Sequence, residues 1–310
     1  MNEYSIGVDL GGTNLRAALV DENGKILSQL DKDTKAGSGR EALIAHIVEA
    51  IQELRAKDMG MRLTGVGIGV PGFIRIEKGI VVGSNNLSFL DNYALRDDIE
   101  QRLGTTVILE NDANAAALGE KWVGQGAGVD DLVLLTLGTG IGGGIIYKGQ
   151  VMHGMDGMAG ELGHLTIVPT GNPCGCGNVG CLEKHASGTA VACLAGLMKV
   201  ANQVNHESLG VYNLAVAGDE KAAEIFRRVG VALGTALATL INIFNFPLYL
   251  LSGGVLGAWD YFAPAMMAEI EKRSFTYRNT KTRVEKAKLG KTAGLIGAAY
   301  LPILAQKRLL

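Results

Sequence analysis

Three cysteines and one histidine crowd into a single short segment of this 310-residue chain. From Glu161 to Glu183 the sequence reads ELGHLTIVPTGNPCGCGNVGCLE, which holds His164, Cys174, Cys176 and Cys181 and leaves only Cys193 elsewhere. Three thiolates and an imidazole make a complete tetrahedral set for one structural zinc ion, with no position open to water. Pro173, Gly175, Gly177 and Gly180 supply the tight turns that wrap closely spaced sulfurs around an ion. A disulfide is the alternative, but Cys174 and Cys176 are too close in sequence to bridge easily, and a third thiol would remain. A redox pair would more often read Cys-x-x-Cys. Glu161 stands three residues before the histidine and Glu183 two after the last cysteine. A clip that fixes this loop also fixes both carboxylates, which suits hydrogen bonding to a polyol; otherwise they are surface carboxylates in a glycine-rich loop.

Other candidate groups sit where strands end. Residues 4–10 predict a strand with Asp9 near its end, and Gly11-Gly12-Thr13-Asn14 turns the chain into a second strand and then a third. A turn this rich in glycine leaves backbone amides open to a phosphate, and Asp9 beside it could hold magnesium directly or through water. A plain hairpin is the alternative. A helix is predicted over 40–57, and a buried strand over 65–70 ends in Pro71-Gly72. A short strand at 107–109 leads to Asn111 and Asp112 at the start of an alanine-rich helix. Functional side chains project well from such a rigid junction, although an aspartate there is also an ordinary cap.

The first half then recurs in outline. A strand over 131–137, the glycine turn Gly138-Thr139-Gly140-Ile-Gly-Gly-Gly144 and a further strand repeat the arrangement of residues 4–21, which suggests a duplicated fold with phosphates held between its halves. The turn matches G-x-G-x-x-G, but a strand follows where a dinucleotide-binding fingerprint opens a helix. Gly290-Lys291-Thr292 mimics the end of a phosphate-binding P-loop, but Glu285 occupies the place of its first glycine. Helices are predicted over 187–201, 219–244, 259–272 and 293–306, with strands over 246–251 and near 284–289. Gly253 and Gly254 follow the former, where glycine permits close approach of a base or ribose.

Composition sets limits on the function. The length suffices for two lobes with their own cores. A net charge of −2 gives no general attraction to nucleic acid or to anionic membranes. The longest apolar stretch, 229–246, is interrupted by glycine, threonine and asparagine and predicts a buried helix rather than a membrane span. Free thiols and the lack of an export signal predict a cytoplasmic protein.

The pairing of Glu161-Leu-Gly-His164 with Cys174-x-Cys-Gly-x-x-Gly-Cys181-x-Glu183 resembles the ROK family of sugar kinases and sugar-responsive repressors, and the resemblance extends over the whole chain. It implies the actin-like, ribonuclease-H-like α/β fold of two lobes with a cleft between them. An N-terminal lobe of 1–112, joined by a returning helix at 293–310, would face a C-terminal lobe of 113–292 that carries the zinc segment 164–181. Asp9, Gly11, Gly12 and Thr13 would form the first phosphate loop, Gly138, Thr139 and Gly140 the second, and Gly253 and Gly254 the adenosine contact. Gly69 to Gly72 and Asn85-Asn86 would be sugar-side loops. Asn111, Asp112, Glu161, His164 and Glu183 would bind sugar hydroxyls, with Asp112 as catalytic base and His164 shared between zinc and sugar. The implied reaction is transfer from magnesium-ATP to the 6-hydroxyl of an aldohexose, glucose first. N-acetylmannosamine and N-acetylglucosamine are the alternative acceptors. A repressor role would need a DNA-binding segment ahead of Asp9, which only eight residues precede. The resemblance also suggests a homodimer.

Overall fold

The computed structural model describes residues 2–57, 60–84, 86–200 and 207–309. Three strands, β1 (Glu3–Leu10), β2 (Asn14–Asp21) and β3 (Ile26–Asp33), form the expected antiparallel meander. Helix α1 (Arg40–Arg55) follows and buries Leu43, Ile44, Ile47, Ile51 and Leu54, one face at helical spacing. Strand β4 (Arg62–Val70) lies parallel to β1, and the hairpin β5 (Phe73–Arg75) and β6 (Ile80–Gly83) follows it. Helix α2 (Leu95–Leu103) leads into β7 (Val107–Asn111), which pairs in parallel with β4 and passes directly into α3 (Asp112–Val123).

The chain continues through β8 (Leu132–Leu137), β9 (Ile141–Tyr147) and the short β10 (Gln150–Val151). After the cysteine-rich segment come α4 (Glu183–Ala186), α5 (Gly188–Leu197), α6 (Ser208–Val216) and the long α7 (Glu220–Phe244). Strand β11 (Leu248–Ser252), helices α8 (Trp259–Arg273) and α9 (Phe275–Asn279), strand β12 (Arg283–Lys286) and α10 (Ala293–Leu309) complete it. The five-stranded sheets run in the orders β3-β2-β1-β4-β7 and β10-β9-β8-β11-β12. Among the described residues no helix is long and apolar enough to cross a membrane.

Two compact units result. The first comprises Met1–Asp130, Gly144–Gly160 and Lys288–Leu310, and the second Asp131–Gly143 and Glu161–Ala287. In the first, α10 is seated on the sheet at backbone distance. A Cβ added at Gly67 would lie 1.8 Å from the Ala298 carbonyl oxygen, and one at Gly7 would lie 2.2 Å from that of Leu295. In the second unit β8, β11 and β12 are parallel, and α7 crosses α8 just as closely at Gly230 and Gly234. Asp219 caps α7 through a bond from Ala222 N at 3.0 Å.

Several expected boundaries moved. The glycine turn after β8 is only residues 138–140, because the strand begins at Ile141 and takes in the three glycines beyond it. Gly144 is admitted there because Ala113 and Ala117 of α3 press against it. The helix expected over 187–201 is α5, which starts after its Ser187 cap and ends at Leu197; Ala201 lies outside the described residues.

Candidate active site

The cysteine-rich segment of the second unit brings together the four predicted ligands. The ligand atoms of His164, Cys174, Cys176 and Cys181 all lie within 4.8 Å of one another. Cys174 Sγ is 3.6 Å from His164 Nδ1, and Cys176 Sγ is 3.7 Å from Cys181 Sγ. Bond lengths of about 2.3 Å for Zn–S and about 2.0 Å for Zn–N give tetrahedral edges of roughly 3.8 Å between sulfurs and roughly 3.6 Å from sulfur to nitrogen. The observed spacings match those edges, whereas a disulfide needs sulfurs about 2.05 Å apart. All four cysteines are free. With Nδ1 turned to the sulfurs, His164 presents Nε2 toward Glu161 Oε2 at 3.8 Å. Burial raises the Glu161 carboxyl above its ordinary pKa, His164 opposes the rise, and the charge of Glu183 adds to it.

Glu183 belongs as much to the second glycine turn as to the zinc segment. Its Oε2 accepts from Ile141 N at 3.0 Å, and a Cβ at Gly140 would lie 2.3 Å from that oxygen. Glycine at 140 is what lets the carboxylate reach the strand start. The turn is closed by Gly138 N donating to Gly140 O at 3.0 Å, and Thr189 Oγ1 donates to Thr139 O at 2.7 Å. Beside it lies a cavity of about 500 Å³ whose lining includes Gly138, Thr139, Thr189, Glu207, Ser208 and Gly254. That volume falls within the range of small-ligand sites. Gly253, left-handed at φ 102°, precedes that wall. Three of the expected nucleotide residues thus meet at one cavity, while Thr189, Glu207 and Ser208 carried no motif that would have singled them out.

The first glycine turn is built in the first unit. Gly11 N donates to Asn14 O at 2.8 Å, and Thr34 Oγ1 donates to Gly11 O at 2.7 Å. Among the described residues, the backbone N–H groups of Gly12 and Thr13, like those of Thr139 and Gly140, have no protein acceptor. Adjacent open amides of this kind are able to receive an anion. Asp9, next to last in β1, stands opposite Arg16 of β2, with 3.8 Å between Oδ2 and the guanidinium. Burial raises the Asp9 pKa, and Arg16 only partly offsets this. Arg16 was legible in principle, because the hairpin register Leu10↔Leu15 dictates Asp9↔Arg16. Asn86 lies next to the same turn, since a Cβ at Gly12 would fall 3.2 Å from Asn86 Cβ; Asn85 lies outside the described residues.

At the β7–α3 junction the cap is Asn111, not Asp112. Asn111 Oδ1 accepts from Ala113 N at 2.9 Å and Asn114 N at 3.1 Å, and its Nδ2 donates to Gly72 O at 3.1 Å. Gly72 is left-handed at φ 115°, and a Cβ there would strike the Gly83 carbonyl oxygen at 2.2 Å. Asp112 is the first helical residue, and its Oδ1 accepts from Ala113 N at 2.9 Å. Its carboxylate is therefore not the group that terminates the helix.

Residues 5–305 match the description "ROK family". The chain belongs to the ROK family. It is 40% identical over 308 residues to a glucokinase of Thermotoga maritima, covering 96% of each chain. It superposes with a TM-score of 0.81 on a ROK family glucokinase from Streptomyces griseus solved with glucose and AMPPNP, at 34% identity and covering 96% of this chain and 98% of that one. It is also 31% identical to a xylose repressor of Caldicellulosiruptor bescii, covering 96% of this chain and 77% of that protein. The ROK chain thus has the actin-like α/β sugar-kinase fold that its motifs implied.

Proposed function

We propose that this protein transfers the γ-phosphoryl group of ATP to the 6-hydroxyl of glucose. The observation that carries the proposal is the cavity walled by Gly138, Thr139 and Gly254 beside a turn whose amides are unsatisfied, a nucleotide site by chemistry and volume. In the reaction the sugar hydroxyl attacks the γ-phosphorus, its proton passes to the Asp112 carboxylate, and ADP leaves. A hydroxyl is a poor nucleophile at neutral pH, and a placed carboxylate contributes on the order of 10²–10⁴-fold. The open amides of Gly12, Thr13, Thr139 and Gly140 suit negative charge on the phosphates. Asp9 is the kind of ligand that magnesium takes alongside phosphate oxygens, and the ion would offset charge on the transferring group. Asn111, Glu161, His164, Glu183, Gly72 and Asn86 are read as sugar-side groups, the Nε2 of His164 donating to a hydroxyl.

Zinc is the metal that best fits the His164, Cys174, Cys176 and Cys181 spacings, and it would hold Glu161 and His164 in place rather than take part in the chemistry. A reducing compartment that supplies ATP, the cytoplasm, suits four free thiols. The test is a coupled ADP-release assay across a panel of sugars. Turnover with glucose well above N-acetylmannosamine and N-acetylglucosamine is expected; turnover with an acetylated sugar alone would transfer the assignment to that sugar. Binding of an operator DNA with no turnover on any sugar would overturn the kinase reading.

A further inference from the structure

Immediately before Asn111 stands a carboxylate with no place in the chemistry above. Glu110 is buried, its side chain only 3% exposed, at the end of β7. Its Oε1 accepts from Asn111 N at 2.9 Å and from Asn114 Nδ2 at 3.0 Å. Its Oε2 lies 2.7 Å from Nε2 of His153, which follows β10. A carboxylate only accepts, so His153 presents Nε2–H to it. Around the pair runs a cavity of about 90 Å³ walled mainly by aliphatic side chains, Leu109, Leu118, Leu301 and Leu304 among them. Burying a charge there is costly unless every lone pair in use has its donor.

We infer that Glu110 and His153 are positioning residues for Asp112, a three-point clamp that joins the end of β7, the first turn of α3 and the 153–160 loop. The inference rests on the reading of Asp112 as base. The three donors explain why the residue is a glutamate. A glutamine has one acceptor oxygen, so with that oxygen on Asn111 N and Asn114 Nδ2 its NH₂ would face His153, which would have to give up the Nε2–H tautomer to pair with it. The clamp holds α3 from inside the fold, while the Asn111 side chain holds it from the N-terminal end. In the chain, Asp112 falls between Glu110 and Asn114, the two residues that the clamp ties together. His153 is itself fixed, since its carbonyl accepts from Ala159 N at 3.0 Å.

The test uses purified full-length protein with glucose and magnesium-ATP. His153→Leu removes the donor; His153→Gln keeps an N–H close to the Nε2 position; Glu110→Gln removes the acceptor. A misplacement of a reacting group by about 1 Å can cost on the order of 10²-fold. Expected are kcat losses of roughly 10²-fold for His153→Leu and Glu110→Gln, with the KM for ATP within about twofold of wild type. His153→Gln should restore kcat to within about threefold, because the bond that matters survives. Thermal melts check folding, and if Glu110→Gln does not fold, the two His153 variants decide. His153→Leu folded and turning over like wild type, or His153→Gln as slow as His153→Leu, overturns the inference. Asp112→Asn run alongside separates the two readings: fast Asp112→Asn removes the base itself, whereas slow Asp112→Asn with fast His153→Leu removes only the clamp.

Discussion

Replacing Asp112 by asparagine isolates proton transfer from structure. The amide keeps an oxygen for Ala113 N, now bonded at 2.9 Å, and the helix cap is untouched because Asn111 supplies it. What is lost in stability is one negative charge at the first helical position, about 0.3–1 kcal/mol. What is lost in catalysis is the proton acceptor, on the order of 10²–10⁴-fold. At about 1.36 kcal/mol per decade this is a barrier rise of roughly 3–5 kcal/mol, several times the structural term. Steady-state kinetics at saturating glucose and ATP, with a thermal melt on the same sample, measure both. Sugar affinity should fall far less than kcat, and the KM for ATP should barely move. Turnover within about threefold of wild type would refute the assignment of Asp112 as base. Asn111→Ala should instead show a cap loss of about 0.5–2 kcal/mol in the melt together with weaker glucose binding.

Cys176→Ser should lower zinc content and glucose affinity together, since a structural site of this type carries roughly 10–16 kcal/mol of apparent binding energy at neutral pH. Metal analysis showing no zinc in wild-type protein purified without chelator, or full zinc in the variant, sinks the zinc reading. Asp9→Asn should abolish turnover yet raise the melting temperature at pH 7. The Asp9 pKa is raised in the folded protein, so the native state binds the extra proton and stability falls as pH rises through the window above the unfolded value of 3.8. The stability difference between variant and wild type should therefore vanish in acid, below that window; a variant less stable than wild type at pH 7 contradicts the reasoning. Light scattering at micromolar concentration should give a dimer mass, and a clean monomer counts against that part of the family resemblance.

Much of the candidate site was legible because its signals are local. The spacing of His164, Cys174, Cys176 and Cys181 needs no tertiary information, and the ligand atoms do converge. The glycine turns after β1 and β8 were visible as strand-turn-strand patterns, although the second, expected over 138–144, closes by residue 140. What the sequence hid is long-range. Glu183 bonds to Ile141, forty-two positions away, and Glu110 bonds to His153 across forty-three. Nothing in either local pattern marks these partners. Helix α2 was overlooked although Leu95, Ile99 and Leu103 recur at helical spacing, because so short and charged a segment reads as a loop. The role of Asn111 as cap was obscured by Asp112 beside it, since both types cap well and only backbone conformation distinguishes them.

The seat of α10 on β1 and β4 has a consequence for how the chain is made. Ala18 and Val20 of the first sheet are covered by Leu295 and Ala299, residues made long after the strands they cover. At about 5–20 residues per second, the ribosome needs roughly 10–40 s to travel from Asn111 to Leu309. For that interval the five strands of the first sheet exist without their closing helix, while the long run 161–287 of the second unit emerges whole. The nascent first sheet therefore waits with an apolar face and the bare backbone of Gly7 and Gly67 exposed, a surface that chaperones bind and that a C-terminally truncated product would carry permanently. Nonsense truncations just before residue 293 should accordingly lower solubility.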